Sequence, residues 1–347
     1  MKAMVLRHLG RISDRSDPLA WEEIEDPIPQ AGEVLIRVSV CGVCHTELDE
    51  IEGRLIPPRL PVVPGHQVVG RVEALGPDVH DIRPGTRVGV AWIYSSCGTC
   101  SYCTSGRENL CPDFLATGKD VHGGYAPLMT APRGFVYPIP EVFSDDEAAP
   151  LLCAGAIGYR SLKLSGMENG RVLGLTGFGA SAHLVLKAAR YLYADSAIAV
   201  FSRSTAEQEF ARELGAAWAG AIGEHPPWPV DCMIDTTPAW HPVVEGLGAL
   251  APGGRLVINA IRKDQTDQDA LLRLRYPEHL WMEKQITSVA NVAREDVRGF
   301  LELAAQIPVR PEVQRFSLRE ANRALRELAS RKIRGAKVLM IGQEYHP

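Results

Sequence analysis

The chain has 347 residues, 46% hydrophobic and 23% charged, a balance that supports more than one buried core and excludes disorder over most of the length. A formal net charge of −5, with no Lys/Arg block, argues against a nucleic-acid partner. Residues 172–186, the longest uncharged apolar stretch, hold three glycines and fall short of the roughly 20 residues of a membrane span, and Met1–His8 meets charge too early for a signal-peptide core, so no membrane association and a cytoplasmic location are expected.

From the N-terminus, apolar runs at residues 33–40, 68–75 and 86–91, bounded by Pro64-Gly65 and Pro84-Gly85, predict an irregular β region across the first 150 residues. Ligand-type side chains punctuate it. Cys41-Gly-Val-Cys44-His45-Thr46-Glu47 follows the first run, and Gly65-His66-Gln67 precedes the second. Four of the eight cysteines, Cys97, Cys100, Cys103 and Cys111, fall on one short loop rich in Gly, Ser and Thr. Four thiolates suit a tetrahedral Zn²⁺, and a closed set leaves no position for substrate, so the cluster predicts a structural zinc folding a loop without a core of its own. Cys153 stands alone in Leu151-Leu-Cys-Ala-Gly155, where the β region ends. One His with two thiolates leaves a fourth zinc position open, the arrangement of a catalytic site that polarises an alcohol oxygen. Taken singly, Cys41-x2-Cys44 is equally a redox pair.

Beyond Gly170 the period changes. A strand at 171–175, a helix at about 180–193, a strand at 197–201, a helix at 205–214 and strands at 230–235 and 255–259 predict a parallel sheet with crossover helices. Helices at 295–306 and 318–330 and a strand at 336–341 close the chain. Gly174-Leu-Thr176-Gly177-Phe178-Gly179 follows a strand and opens a helix, as a dinucleotide-binding turn does, with Thr176 at the middle glycine position. The next strand ends Val200-Phe201-Ser202-Arg203 with no acid to read a ribose 2′-hydroxyl; a hydroxyl and a guanidinium there favour NADP(H) over NAD(H).

Together Cys41-Gly-Val-Cys-His-Thr46, Gly65-His-Gln-x-x-Gly70, the Cys97–Cys111 lobe, Leu152-Cys-Ala-Gly155 and the glycine turn resemble the zinc-dependent medium-chain alcohol dehydrogenases. The resemblance implies an α/β fold: a GroES-like irregular β catalytic domain over 1–153 and 291–347, and a Rossmann doubly wound parallel sheet over 154–290. It makes Cys44, His66 and Cys153 the catalytic zinc ligands and Cys41 a bystander, for two Zn²⁺ per chain. It gives Thr46 the alcohol proton, places His45 by the cofactor pyrophosphate, sets Glu47 behind His66, and makes Trp92 a wall of the substrate pocket. Three positions depart from the pattern. Gln67 stands where the family usually has Glu, which leaves the metal a stronger Lewis acid. Asp49 takes the position of a proton-releasing His, and Thr176 crowds the pyrophosphate turn. The implied activity is hydride transfer between an alcohol, or its aldehyde or ketone, and a nicotinamide cofactor, in a homodimer or homotetramer. A non-catalytic nucleotide-binding sensor on the same fold is the alternative, and a zinc-ribbon module with a Cys41/Cys44 dithiol is a third reading.

Overall fold

The computed structural model describes residues 1–307, 309–330 and 335–342, which contacts divide into two compact units. Met1–Cys153 forms one unit with Val292–Gln306 and the chain from Arg310; Ala154–Asn291 forms the other with Ile307–Val309. Of the 291–347 segment given above to the catalytic domain, residues 308, 331–334 and 343–347 lie outside the described residues.

The first unit is built on a seven-stranded sheet. Its order runs Val313–Ser317, Ala336–Met340, Glu33–Val43, Val68–Leu75, Arg87–Val90, Val136–Pro138, with Leu128–Pro132 also paired to Glu33–Val43. Alternation in Glu33–Val43 buries Val34, Ile36, Val38 and Val40, and the first three share a core with Met4, Leu6, Ile51 and Met129. From Cys41 onward every residue of this strand is buried. Leu339 lies opposite Cys41 on one side and Val68 opposite it on the other, so the segment leading into Cys44 is clamped between two antiparallel neighbours.

The second unit is a six-stranded, wholly parallel sheet in the order Trp218–Gly220, Ile198–Phe201, Leu173–Thr176, Val230–Asp235, Leu250–Ile258, Gln285–Ser288. Strand order reverses between Leu173–Thr176 and Val230–Asp235, and the crevice at the carboxyl ends of such a pair is where doubly wound sheets bind ligands. The helix Ala180–Leu192 packs its Ala182, Val185, Leu186 and Ala189 against Leu175, Val200 and Ile234.

Several elements differ from the sequence reading. Leu250–Ile258 starts earlier than the predicted 255–259, because a bulge lets Val230 pair with Leu250. The predicted helix at 318–330 is a 3₁₀ turn, Leu318–Glu320, running into the helix Ala321–Ala329. Helices given no range in the sequence reading include His45–Ile51, Ala154–Ser165 and His241–Ala249. No helix among the described residues is long and apolar enough to cross a membrane.

Candidate active site and metal centres

Cys44 ends the clamped strand and caps the seven-residue helix His45–Ile51. Its Sγ accepts from Thr46 N at 3.4 Å, while Glu47 Oε2 accepts from Cys44 N at 2.8 Å, a capping box with sulfur in the place of a hydroxyl. His66 arrives from a different segment. Gly65 before it has φ +99°, and a Cβ there would fall 2.4 Å from the Tyr125 ring and 2.8 Å from Cys41 Sγ, so only glycine lets this turn seat against both. Cys153 follows the short turn Ala149–Leu152, which is anchored by fully buried Leu151 and Leu152.

The three segments bring their donors to one point. His66 Nε2 lies 3.6 Å from Cys44 Sγ and 3.3 Å from Cys153 Sγ, and the three ligand atoms fall within 4.8 Å of one another. Sulfur at about 2.3 Å and imidazole nitrogen at about 2.0 Å on tetrahedral directions from one ion are about 3.5 Å apart, so this set fits zinc with a fourth direction unclaimed by these donors. Cys41 stays out of the group, its buried sulfur packed beside Gly65 and Gly124. The neighbouring Cys153 sulfur, and then burial, push the Cys44 thiol well above its usual range, a direction that a bound cation reverses. Behind the imidazole, Glu47 Oε1 lies 2.6 Å from His66 Nδ1. One carboxylate thus holds both the Cys44 backbone and the far side of His66, orienting two ligands together.

The remaining residues singled out in this region occupy distinct places. Thr46 is buried and His45 is exposed. Asp49 is buried with its Oδ1 accepting from Arg54 Nε at 2.7 Å, so its carboxylate is engaged by a cation. Gln67 is buried over Gly42, whose missing Cβ would meet its amide at 2.7 Å. Trp92 is buried against Phe114, with ring centroids 5.4 Å apart, beside Leu55 and Phe135. Glu50, which carried no sequence expectation, is fully buried with Oε1 lacking a hydrogen-bond partner, and burial, then Glu47, push its carboxyl well above the usual range. No motif marks it, because its setting arises only when the helix docks.

In the Cys97–Cys111 lobe, Cys97 Sγ lies 3.8 Å from Cys103 Sγ and 3.5 Å from Cys111 Sγ, and all four sulfurs fall within 4.8 Å. Four thiolates at about 2.3 Å from one ion lie about 3.8 Å apart, so this set also fits zinc and closes its coordination. Backbone N–H groups of Thr99 and Cys100 pull the Cys97 thiol down to about 6, preparing the ligand form. The lobe is tied to its own unit by Glu108 Oε1, which accepts from both N and Nε of Arg294, at 2.8 and 2.9 Å. Burial alone would raise the Glu108 carboxyl; the Arg294 bonds outweigh it and hold the group below its usual range.

In the parallel sheet, Gly174 lies within the strand Leu173–Thr176 that Thr176 ends, and Gly177 turns the chain at φ +76°. A Cβ on Gly177 would stand 2.9 Å from Thr236 Oγ1, so the turn seats on the neighbouring loop. Gly179 caps the helix Ala180–Leu192 with open space around it, no side chain caps its N–H groups, and no acid sits in the first turn. Free N–H groups and a positive dipole end in open space fit a dinucleotide pyrophosphate. Phe178 buries its ring against Phe210, leaving only its backbone to the turn. The Thr176 hydroxyl donates to Asp235 Oδ1 at 2.5 Å. Asp235 is fully buried and pairs with Lys263, whose Nζ also donates to the carbonyls of Thr237 and Ala239 at 2.8 and 2.9 Å. Ser202 is buried just past the next strand, and Arg203 is exposed beside it.

Residues 30–141 match the alcohol dehydrogenase GroES-like domain. A probable alcohol dehydrogenase, AdhA, of Mycobacterium tuberculosis (strain CDC 1551 / Oshkosh) is 40% identical over 346 residues, covering 98% of this chain and 97% of its own length. An alcohol dehydrogenase of Geobacillus stearothermophilus is 32% identical over 356 residues, covering 99% of this chain and all of the relative. Among solved structures, a cinnamyl alcohol dehydrogenase of Sorghum bicolor superimposes with a TM-score of 0.83 at 26% identity, over 98% of this chain and 97% of that one. On a GroES-like β domain and a Rossmann-type parallel sheet, with full-length relatives at this identity, the chain belongs to the zinc-type medium-chain alcohol dehydrogenase family.

Proposed function

We propose that the protein is an alcohol dehydrogenase that interconverts alcohols with aldehydes or ketones, using a nicotinamide dinucleotide and a zinc ion held by Cys44, His66 and Cys153. The observation that carries this reading is the convergence of those three donors at zinc-like separations with one carboxylate, Glu47, bracing two of them. Held by these residues, the metal would supply Lewis-acid polarisation of the substrate oxygen, and the nicotinamide coenzyme would supply the hydride acceptor or donor. Thr46, on the first turn after Cys44, takes the alcohol proton at its hydroxyl. Glu47 fixes the His66 tautomer, so that Nε2 rather than Nδ1 faces the metal position. Trp92 and its aromatic neighbours exclude water on one side and form the substrate wall. Asp49, at the position of the family's proton-releasing residue, also pairs with Arg54 and so orders the segment after the helix.

The finer assignments rest on the same residues. Cys97, Cys100, Cys103 and Cys111 hold a second, structural zinc. Met1–Cys153 with the chain's last segment is the catalytic domain, and the unit that follows Cys153 is the cofactor domain. NADP(H) is the favoured coenzyme, because exposed Arg203 stands where a 2′-phosphate needs a cation and no acid ends the preceding strand. The outward edge strand Gln285–Ser288, with Tyr276, Trp281, Met282 and Ile286 exposed nearby, supports pairing with a second copy. Eight cysteines with no disulfide between them suit the cytoplasm.

The test is metal analysis coupled to kinetics. The parent should hold two zinc ions per chain and oxidise primary alcohols. Cys44→Ala and His66→Ala should each retain one zinc and the circular-dichroism spectrum while losing at least about a thousandfold in kcat/KM. Undiminished turnover in a verified metal-free preparation would overturn the reading.

A further inference from the structure

The turn after the strand Ile198–Phe201 carries two groups of opposite charge. Arg203 projects outward, and no ion pair engages it among the described residues. Five residues after Ser202, in the first turn of the helix Thr205–Glu213, Glu207 folds back and its Oε2 accepts the Ser202 hydroxyl in a short hydrogen bond. Ser202 is buried and held on every side: its N donates to Gly220 O at 2.9 Å, its Oγ accepts from Ser204 N at 3.2 Å, and its carbonyl accepts from Gln208 Nε2 at 2.7 Å. The helix is capped independently by the Ser204 hydroxyl, which accepts from Glu207 N at 3.3 Å. The strand end that looks acid-free in the sequence therefore carries a carboxylate, delivered from the helix that follows it.

Resting on the reading of this crevice as the dinucleotide site, we infer that Glu207 is a coenzyme-specificity residue that opposes Arg203. A serine hydroxyl has one proton to donate, and here Glu207 takes it. A 2′-phosphate reaching Ser202 meets an occupied donor and a like charge, relieved only by the Arg203 guanidinium. A ribose 2′-hydroxyl meets no such conflict, because it can donate to the same carboxylate. The two side chains pull in opposite directions, so the margin by which the protein prefers NADP(H) is set by their difference rather than by Arg203 alone.

The test is fluorescence titration of NADPH and NADH against the zinc-loaded parent and its variants, without turnover. Glu207→Gln keeps an acceptor for Ser202 and removes only the charge. It should tighten NADPH binding about tenfold while leaving NADH binding unchanged or weaker, and the gain should shrink as ionic strength rises. Arg203→Ala should weaken NADPH about tenfold or more and spare NADH. In Glu207→Ala, which frees the Ser202 hydroxyl, NADPH should also gain. A ratio of dissociation constants within twofold of the parent in Glu207→Gln overturns the inference while leaving the dinucleotide site standing. Equal weakening of both nucleotides with a lowered melting temperature overturns it too, because Glu207 is then only a brace. If the parent binds neither nucleotide, the dinucleotide reading itself fails and takes this inference with it.

Discussion

His183 sits inside the helix that follows the glycine turn, its Nδ1 3.2 Å from Gly179 O and its ring 6.2 Å from that of Phe210. Burial, reinforced by nearby Lys187, holds its pKa down to about 4. An unfolded chain takes up that proton near pH 6.5, and the folded protein refuses it until about pH 4. Stability is therefore whole above pH 6.5 and is lost as pH falls from there toward 4, by about 3 kcal/mol for this one group. His183→Gln should flatten that slope, read as the difference in urea midpoint between variant and parent from pH 7 to 4. Residue chemistry was also the scale at which the sequence was most legible. Ligand chemistry alone leaves Cys41 and Cys44 undecided, and Cys44, His66 and Cys153 stand out as a set through the family resemblance of the motifs around them. Glu50, Glu207 and Lys263 do not, because a carboxylate or ammonium in a polar stretch has the same appearance whether it is solvated or buried.

Where elements meet, the buried pair Asp235–Lys263 joins two loops at the carboxyl ends of the central strands. Asp235 gathers Thr176 and Thr237 on one oxygen and Lys263 on the other, while Asp267 Oδ2 accepts from Trp240 N and His241 N at 2.8 and 2.9 Å. Thr176, at the middle position of the glycine turn, thus spends its hydroxyl on this network. Lys263→Met leaves Asp235 buried without its cation and should destabilise the protein by about 3–5 kcal/mol, measured by denaturant unfolding. Combining it with Asp235→Asn should recover part of that loss, since no unpaired charge then remains. Strands buried on both faces, such as Leu173–Thr176 and Val230–Asp235, were legible as short apolar runs bounded by turn residues. The helix His45–Ile51 was not, because its buried residues include Thr46, Glu47, Asp49 and Glu50 and so leave no apolar period. Its one sequence signal is Cys44-x-x-Glu47, a capping box written with cysteine. The edge strand Gln285–Ser288 was equally hidden, because all four of its residues are exposed and no alternation marks it.

At the scale of the whole molecule, that same edge is the exposed flank of the parallel sheet. Ile286→Lys together with Trp281→Glu should convert a self-associated protein into monomers in sedimentation equilibrium, with the circular-dichroism spectrum unchanged. The first unit raises a different matter, because its sheet is completed from both extremes of the chain. Ala336–Met340 pairs with Glu33–Val43, and nearly the whole of the other unit is threaded between them. During synthesis at roughly 5–20 residues per second, the contiguous Ala154–Asn291 segment can collapse on local contacts as it emerges, whereas Val40–Val43, leading into Cys44, lacks its neighbour on one side until Ala336–Met340 is made, the other half of that edge being covered earlier by Leu128–Pro132. Until that strand arrives, nascent chains carry a short open β edge next to Cys44, the kind of surface through which partly made chains aggregate.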